Sequence, residues 1–159
     1  MSPERCMDAA RGYLYLGLPD EALSEIEPVP FSHRFNREFM ELRTAIHMAR
    51  KQWLEALVIA RNVCHLFPSS ERGFLDASRC LHKLGRTQEA KDVLLQAPSS
   101  LRTKAVHHYQ MSRLEAKMGN VDNARKSLKR AIALDPKYRK LASKADELRD
   151  IFQTIAEES

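Results

Sequence analysis

The sequence predicts an all-α protein built from four consecutive helical hairpins, and three observations carry this prediction. Alanines recur at intervals of 34 residues, at Ala22, Ala56, Ala90 and Ala124. Glycines recur in the same phase, at Gly17, Gly85 and Gly119. No segment shows the strict alternation of apolar and polar residues that is typical of a strand. A fixed period of this length is the sequence signature of stacked helical repeats.

The alanine period sets the boundaries of the repeats. With each alanine as the twentieth residue of its unit, the repeats span 3–36, 37–70, 71–104 and 105–138. We expect them to form a single domain over 1–159, with two helices in each repeat. The turn glycines lie where a first helix would end and a left-handed residue is needed. The alanine is expected where the two helices of a hairpin cross closely, because a larger side chain would push them apart.

A capping helix is predicted at 137–157. Its apolar residues follow a helical spacing: Tyr138, Leu141, Ala145, Leu148, Phe152 and Ile155. A stack of repeats needs such a helix to cover its last apolar face. A dimerising seam is the alternative interpretation of this stripe. The first repeat has no comparable cap in the sequence, so its outer face is a candidate surface for self-association.

Two repeats are expected to depart from the pattern. Pro28 and Pro98 should shorten the second helices of the first and third repeats, because proline cannot continue a helix. In the second repeat, Arg43, His47 and Arg50 fall on the face that should be buried. A rotation or a one-residue slide of that first helix would explain them, and it leaves the groove assignment of that repeat open.

The sequence resembles the tetratricopeptide repeat family over nearly its whole length. The period, the alanines and the turn glycines carry the resemblance, together with Leu-Phe-Pro at 66–68 and Leu-Asp-Pro at 134–136. The resemblance implies a right-handed α-solenoid whose first helices line a concave groove. It also implies a non-enzymatic adaptor or scaffold that binds a peptide or helix of another protein.

Family positions place certain residues in this groove. The predicted ligand-binding residues are Arg11, Tyr15, Arg79, His82, Lys83, Tyr109, Arg113 and Lys117. Arginine forks hold carboxylates, and tyrosine supplies contact area at a low entropic cost. The expected partner is therefore a protein segment with acidic and apolar residues. The alternative is an ordinary solvated surface with helix-surface charges.

The net charge of +5 is concentrated in the second half of the chain. Its densest part is 102–144, where acidic residues are few. An acidic partner is favoured there. A helical-repeat RNA-binding protein is the third functional hypothesis, after an adaptor and a self-assembling structural protein. Nucleic acid is disfavoured because aromatic side chains are not interleaved with the basic ones.

No catalytic, metal or cofactor site is predicted. The sequence has no phosphate-binding loop, nucleophile elbow or zinc-protease motif. His107 and His108 are adjacent, and adjacent side chains on a helix diverge by about 100°. Cys64 and Cys80 are expected to be packed thiols. Glu115 falls where the family has a large apolar residue. It could be a buried acid, but a rotated, partly exposed helix is the simpler interpretation.

A cytoplasmic protein is predicted. The N-terminal residues lack the apolar core of a secretory signal, and no apolar run is long enough to cross a membrane. Three cysteines without CxxC spacing fit a reducing compartment better than a disulfide framework.

Overall fold

The described residues, 1–158 of a computed structural model, form α-helices and no β-strand. The helices are α1 (Pro3–Tyr15), α2 (Pro19–Ile26), α3 (Arg37–Ala49), α4 (Trp53–Leu66), α5 (Glu71–Lys83), α6 (Thr87–Leu95), α7 (Ser99–Arg102), α8 (Ala105–Lys117), α9 (Val121–Leu134), α10 (Lys137–Lys144) and α11 (Arg149–Glu157). A short 3-10 turn at Phe31–His33 precedes α3. The prediction of an all-α fold is confirmed.

The helices keep the period of the sequence. The four helices α1, α3, α5 and α8 have 13 residues each. They begin at positions 3, 37, 71 and 105, at the same interval as the alanines. Three of them have a side-chain N-cap: Ser2, Asn36 and Ser70 accept hydrogen bonds from backbone N–H groups of the first turn. Lys104 stands in that position before α8, where no side chain caps the helix.

The chain clusters into two compact units, Met1–Leu84 and Gly85–Ser159. In the first unit, α1 packs on α2 and α3 on α4, around a core that includes Ala10, Ala22, Phe39 and Ile46. In the second unit, α8 packs on α9, and α10 and α11 pack against α9. All four period alanines are fully buried. Burial of this kind is what a close helix crossing requires.

The second helices differ in length as the prolines predict. Helices α2 and α6 have 8 and 9 residues, whereas α4 and α9 have 14 each. After α2 the chain turns through Pro28 and Pro30, and Val29 between them is buried in the first core. Arg34 holds this turn by donating to the backbone oxygens of Glu27 and Val29 at 2.8 and 3.0 Å.

The first helix of the second repeat has not slid. Lys51 occupies the position that Gly17, Gly85 and Gly119 hold in the other turns, and it adopts the same left-handed conformation with φ 60°. Its N–H donates to the carbonyl oxygen of Met48, as the N–H of Gly17 donates to that of Leu14. The register of the turn is therefore preserved, while His47 is buried and its Nδ1 donates to Gln52 Oε1 at 2.7 Å.

Replacement of Lys51 by glycine is expected to stabilise the protein by about 0.5–1 kcal/mol. A side chain in the left-handed region costs about 1–2 kcal/mol, which the greater flexibility of an unfolded glycine partly offsets. Chemical denaturation of Lys51→Gly and wild type measures the difference. The reciprocal change Gly85→Lys should destabilise the protein, because it places a side chain on a left-handed backbone with φ 77°. An added Cβ there would meet no atom within 4 Å, so backbone strain is the only cost. A lower denaturation midpoint for Lys51→Gly than for wild type would contradict a strained, left-handed backbone at Lys51.

The predicted capping helix at 137–157 is two helices, which corrects the sequence interpretation. The chain leaves the helical conformation at Ala145, and α11 begins at Arg149. Leu148, between them, is fully buried with Ala124 and Leu128. A straight helix would carry Leu141 on the buried stripe, yet Leu141 is 45% exposed. After the break, α11 packs against α9 and buries Ile151 and Ile155.

Candidate functional site

A cleft in the first unit is lined mainly by the first helices of three successive hairpins. Its volume is about 490 Å³, and its lining comprises Arg11, Leu14, Glu38, Glu41, Leu42, Ala45 and Arg72. Helices α1, α3 and α5 supply these residues because their starts share one period. Leu14, Leu42 and Ala45 provide apolar surface, and the four charged residues surround it.

The charges around this cleft are of both signs. Arg11 Nη1 lies 2.8 Å from Asp8 Oδ1, and its Nη2 lies 3.9 Å from Glu38 Oε2. Arg37 Nη1 lies 3.7 Å from Glu41 Oε1, which also accepts a hydrogen bond from Ser70 Oγ at 3.1 Å. These carboxylates partly neutralise the arginines, so the cleft is a mixed-charge surface.

Asp76 is a buried carboxylate beside the cleft. Its Oδ2 accepts from Arg72 Nε at 3.1 Å, while its Oδ1 lies 3.7 Å from Arg79 Nη1 and accepts no hydrogen bond. Burial raises the pKa of this carboxyl, and Arg72 and Arg79 counteract the shift. Nearby Glu41 adds to the increase. Ionisation of Asp76 therefore costs more free energy in the folded protein than in water.

Asp76→Asn is expected to gain stability relative to wild type as the pH rises. A raised pKa in the folded state means that the folded protein binds a proton more tightly than the unfolded chain. Wild type thus loses stability as the pH rises from the ordinary carboxyl pKa through the raised one. Asparagine does not titrate, so denaturation midpoints of the two proteins should diverge over that range. A difference that stays constant with pH would contradict this prediction.

The remaining predicted residues of the first unit are placed differently from one another. Tyr15 is 92% exposed and does not line the cleft. Lys83 Nζ lies 5.7 Å from the centroid of the Trp53 ring, within the range of a cation–π interaction. His82 is partly buried. Of the predicted residues in this unit, the structure places Arg11 in the cleft.

In the second unit, Tyr109 and Arg113 face the C-terminal segment of the chain. The ring of Tyr109 lies 4.6 Å from that of Tyr138, centroid to centroid. Arg113 Nε donates to Glu147 Oε1 at 2.6 Å, and both side chains are largely buried. Burial raises the pKa of the Tyr109 phenol, with Arg113 acting against the shift. Lys117, one turn further, is exposed.

Glu115 is a buried acid, and the interpretation of a rotated, exposed helix is wrong. Its exposed fraction is 4%. Lys91 Nζ lies 2.7 Å from its Oε1, and Asn120 Nδ2 donates to its Oε2 at 2.8 Å. Burial would raise the pKa of this carboxyl, but the bonds from Lys91 and Asn120 lower it on balance. A cross-helix ion pair therefore replaces the apolar contact expected there.

Two cysteines are suited to packing rather than to chemistry. Burial raises the pKa of Cys64 to about 11 and that of Cys80 to about 12, so both are thiols at neutral pH.

Within residues 1–158, no three potential ligand side chains come together in a metal-binding cluster. Among the helices of the same range, none has the length and apolarity needed to cross a bilayer.

The last hairpin matches a tetratricopeptide repeat model over residues 108–138. Solved structures of such proteins also superpose on nearly the whole chain. A tetratricopeptide repeat protein of Thermus thermophilus, TTC0263, has a TM-score of 0.81 at 20% identity, over 97% of this chain and 83% of that one. The chain has the fold of tetratricopeptide repeat proteins, and residues 108–138 match the sequence model of one such repeat. In this family the stacked helices present extended surfaces for contacts with other proteins.

Two further structures share the tetratricopeptide repeat fold. MamA of Desulfovibrio magneticus RS-1, from residue 41 to its end, has a TM-score of 0.75 at 18% identity, over 98% of this chain and 89% of that one. Another MamA structure has a TM-score of 0.74 at 19% identity, over 96% and 86% of the two chains. A search of curated proteins finds no significant match.

Proposed function

We propose that this protein is a non-enzymatic, cytoplasmic adaptor that binds a segment of another protein on the faces of its first helices. The cleft lined by α1, α3 and α5 carries the proposal. Its apolar surface suits an anchoring side chain of the partner. Its charged rim suits flanking residues that are held in register by ion pairs.

The chemistry of the partner follows from how exposed the rim is. The side chains of Arg11 and Arg72 are 46% and 55% exposed, so each can take a carboxylate of the partner. Glu38 is 65% exposed and can take a cation. The expected partner segment has an apolar residue flanked by carboxylates, with a basic residue on the α3 side. Arg79, His82 and Lys83 remain proposed contacts on the first unit, and Lys117 remains one on the second.

Tyr109 and Arg113 are weaker candidates than the sequence suggests. The side chain of Arg113 pairs with Glu147 and is only 26% exposed, well below the exposure of Arg11 and Arg72, and Tyr109 is stacked on Tyr138. A ligand would have to displace the C-terminal segment to reach them. In the first unit, by contrast, the cleft is open between its charged residues.

Affinity capture from the source cell, followed by mass spectrometry, tests the proposal. The variant Arg11→Glu/Arg72→Glu reverses the cleft charges, and Arg5→Glu/Lys51→Glu changes the net charge equally at exposed positions outside the cleft. A partner retained by wild type and by the control but lost from the cleft variant is the expected result. A partner that the cleft variant retains equally well would refute the assignment of the site.

Self-association is a second candidate function. Tyr15 and Leu16 are 92% and 67% exposed at the turn between α1 and α2, and Leu18 is 40% exposed beside them. An apolar cluster of this kind favours contact with another protein surface. Light scattering at high concentration should show dimers that Tyr15→Ser/Leu16→Ser removes. A monomer at every concentration would eliminate this candidate.

A further inference from the structure

We propose that the exposed side of α9 is a second docking surface, separate from the cleft, that takes an acidic amphipathic segment of another protein. The surface consists of four cations followed by two apolar residues: Arg125, Lys126, Lys129, Arg130, Ala133 and Leu134. After Asp122, no acidic residue occurs in this helix. We call it the α9 basic surface.

The chain itself shows which chemistry this surface accepts. Glu158, just after α11, forms ion pairs with both Arg125 and Lys129. Its Oε1 pairs with Arg125 Nη2, and its Oε2 lies 2.9 Å from Lys129 Nζ. Two cations one helical turn apart are thus spaced to share a carboxylate from a neighbouring segment.

The other half of the α9 basic surface has no such partner within residues 1–158. Lys126 and Arg130 are exposed, also one turn apart, and neither forms an ion pair in that range. Like charges at this spacing repel each other, so an incoming carboxylate would relieve the repulsion as well as form a pair.

A cleft beside these cations adds an apolar contact. It has a volume of about 450 Å³ and is lined by Lys129, Arg130, Ala133 and Leu134. Leu134 is 51% exposed. A segment with a carboxylate over Lys126 and Arg130 would place an apolar side chain one turn further, on Ala133 and Leu134. Electrostatic and apolar complementarity together define an acidic amphipathic helix as the occupant.

A protein segment fits this surface better than a nucleic acid does. Nucleic-acid strands bind basic surfaces that also offer aromatic rings for stacking. Helices α9 and α10 contain one aromatic residue, Tyr138, and it is buried against Tyr109. Apolar Ala133 and Leu134 occupy the place where such rings would be needed.

Fluorescence anisotropy with the full chain tests the proposal. The probe is a labelled helical peptide of glutamate, alanine and leucine with glutamates one turn apart. The comparison probes are the same peptide with glutamine for glutamate, and an oligouridine of similar length. We expect Lys126→Glu/Arg130→Glu to bind the acidic peptide about tenfold or more weakly than wild type. The control Arg5→Glu/Lys51→Glu, which has the same change in net charge, should bind as wild type does.

Two further variants separate the parts of the surface. Leu134→Ala should weaken binding at high salt, where charge pairs are screened and the apolar contact remains. Glu158→Ala should tighten binding, because Arg125 and Lys129 become available to the peptide. Three results would each overturn the proposal. The glutamine peptide could bind as tightly as the acidic one, oligouridine could bind more tightly than the acidic peptide, or the acidic peptide could fail to bind at low salt.

Discussion

Gly73→Ala is expected to destabilise the protein by about 1–3 kcal/mol, although alanine is the better helix former. A Cβ at position 73 would lie 2.7 Å from Val63 Cγ1 and 3.2 Å from Val63 Cβ. Valine is branched at Cβ and stiff at χ1, so its methyl group cannot turn aside. The added methyl group overpacks the contact, so helices α4 and α5 would have to move apart. Urea denaturation of the variant and of wild type measures the loss.

Gly12→Ala is the matched control. Gly12 lies in α1, and a Cβ there meets no atom within 4 Å. The same substitution should therefore stabilise the protein by about 0.5–1 kcal/mol through the helix preference of alanine. Adding Val63→Ala to Gly73→Ala should recover part of the loss, which a double-mutant cycle would show as a coupling. A Gly73→Ala protein as stable as wild type would contradict the tight α4–α5 contact.

His107 is expected to make the protein sensitive to mild acid. Burial lowers the pKa of its imidazole to about 4, and the neighbouring His108 and Arg102 act in the same direction. The two histidine rings lie edge to face, 5.4 Å apart, and His107 Nδ1 has no hydrogen-bond partner. The folded protein therefore holds this ring in its neutral form.

The direction of the pH effect follows from the lowered pKa. Between pH 6.5 and 4 the unfolded chain binds a proton at His107 and the folded protein does not, so stability falls as the pH falls. The shift corresponds to about 3 kcal/mol. His107→Phe cannot take up the proton, so its stability should fall less over this interval. Denaturation at several pH values, with the His107 ring followed by NMR, measures both quantities. Parallel pH profiles for the two proteins would exclude His107 as the cause.

Local features of the fold follow from local sequence. The period of Ala22 and its equivalents predicts where helices begin, because each repeat meets the same packing requirement. Pro28 and Pro98 predict the short second helices, because the proline ring blocks helical hydrogen bonds. Lys51 shows how strongly the turn between two helices constrains its backbone. It adopts the left-handed conformation that glycine has in the other three turns.

The candidate site is less accessible to sequence reasoning. Family positions identify Arg11 as a groove residue, and the structure places it at the cleft. Glu38 and Glu41 also line the cleft, but the sequence does not show that such carboxylates partly neutralise the arginines. The same reasoning favours Tyr109 and Arg113, because the sequence does not reveal that Tyr138 and Glu147 cover them.

The sequence by itself determined the repeat architecture, the turns and the burial of the period alanines. These properties depend on interactions between residues close along the chain, which a regular pattern records. Only the tertiary structure decided the break between α10 and α11, the Lys91–Glu115 pair and the partners of the groove arginines. Such contacts join residues from different helices, and their distances depend on how those helices pack.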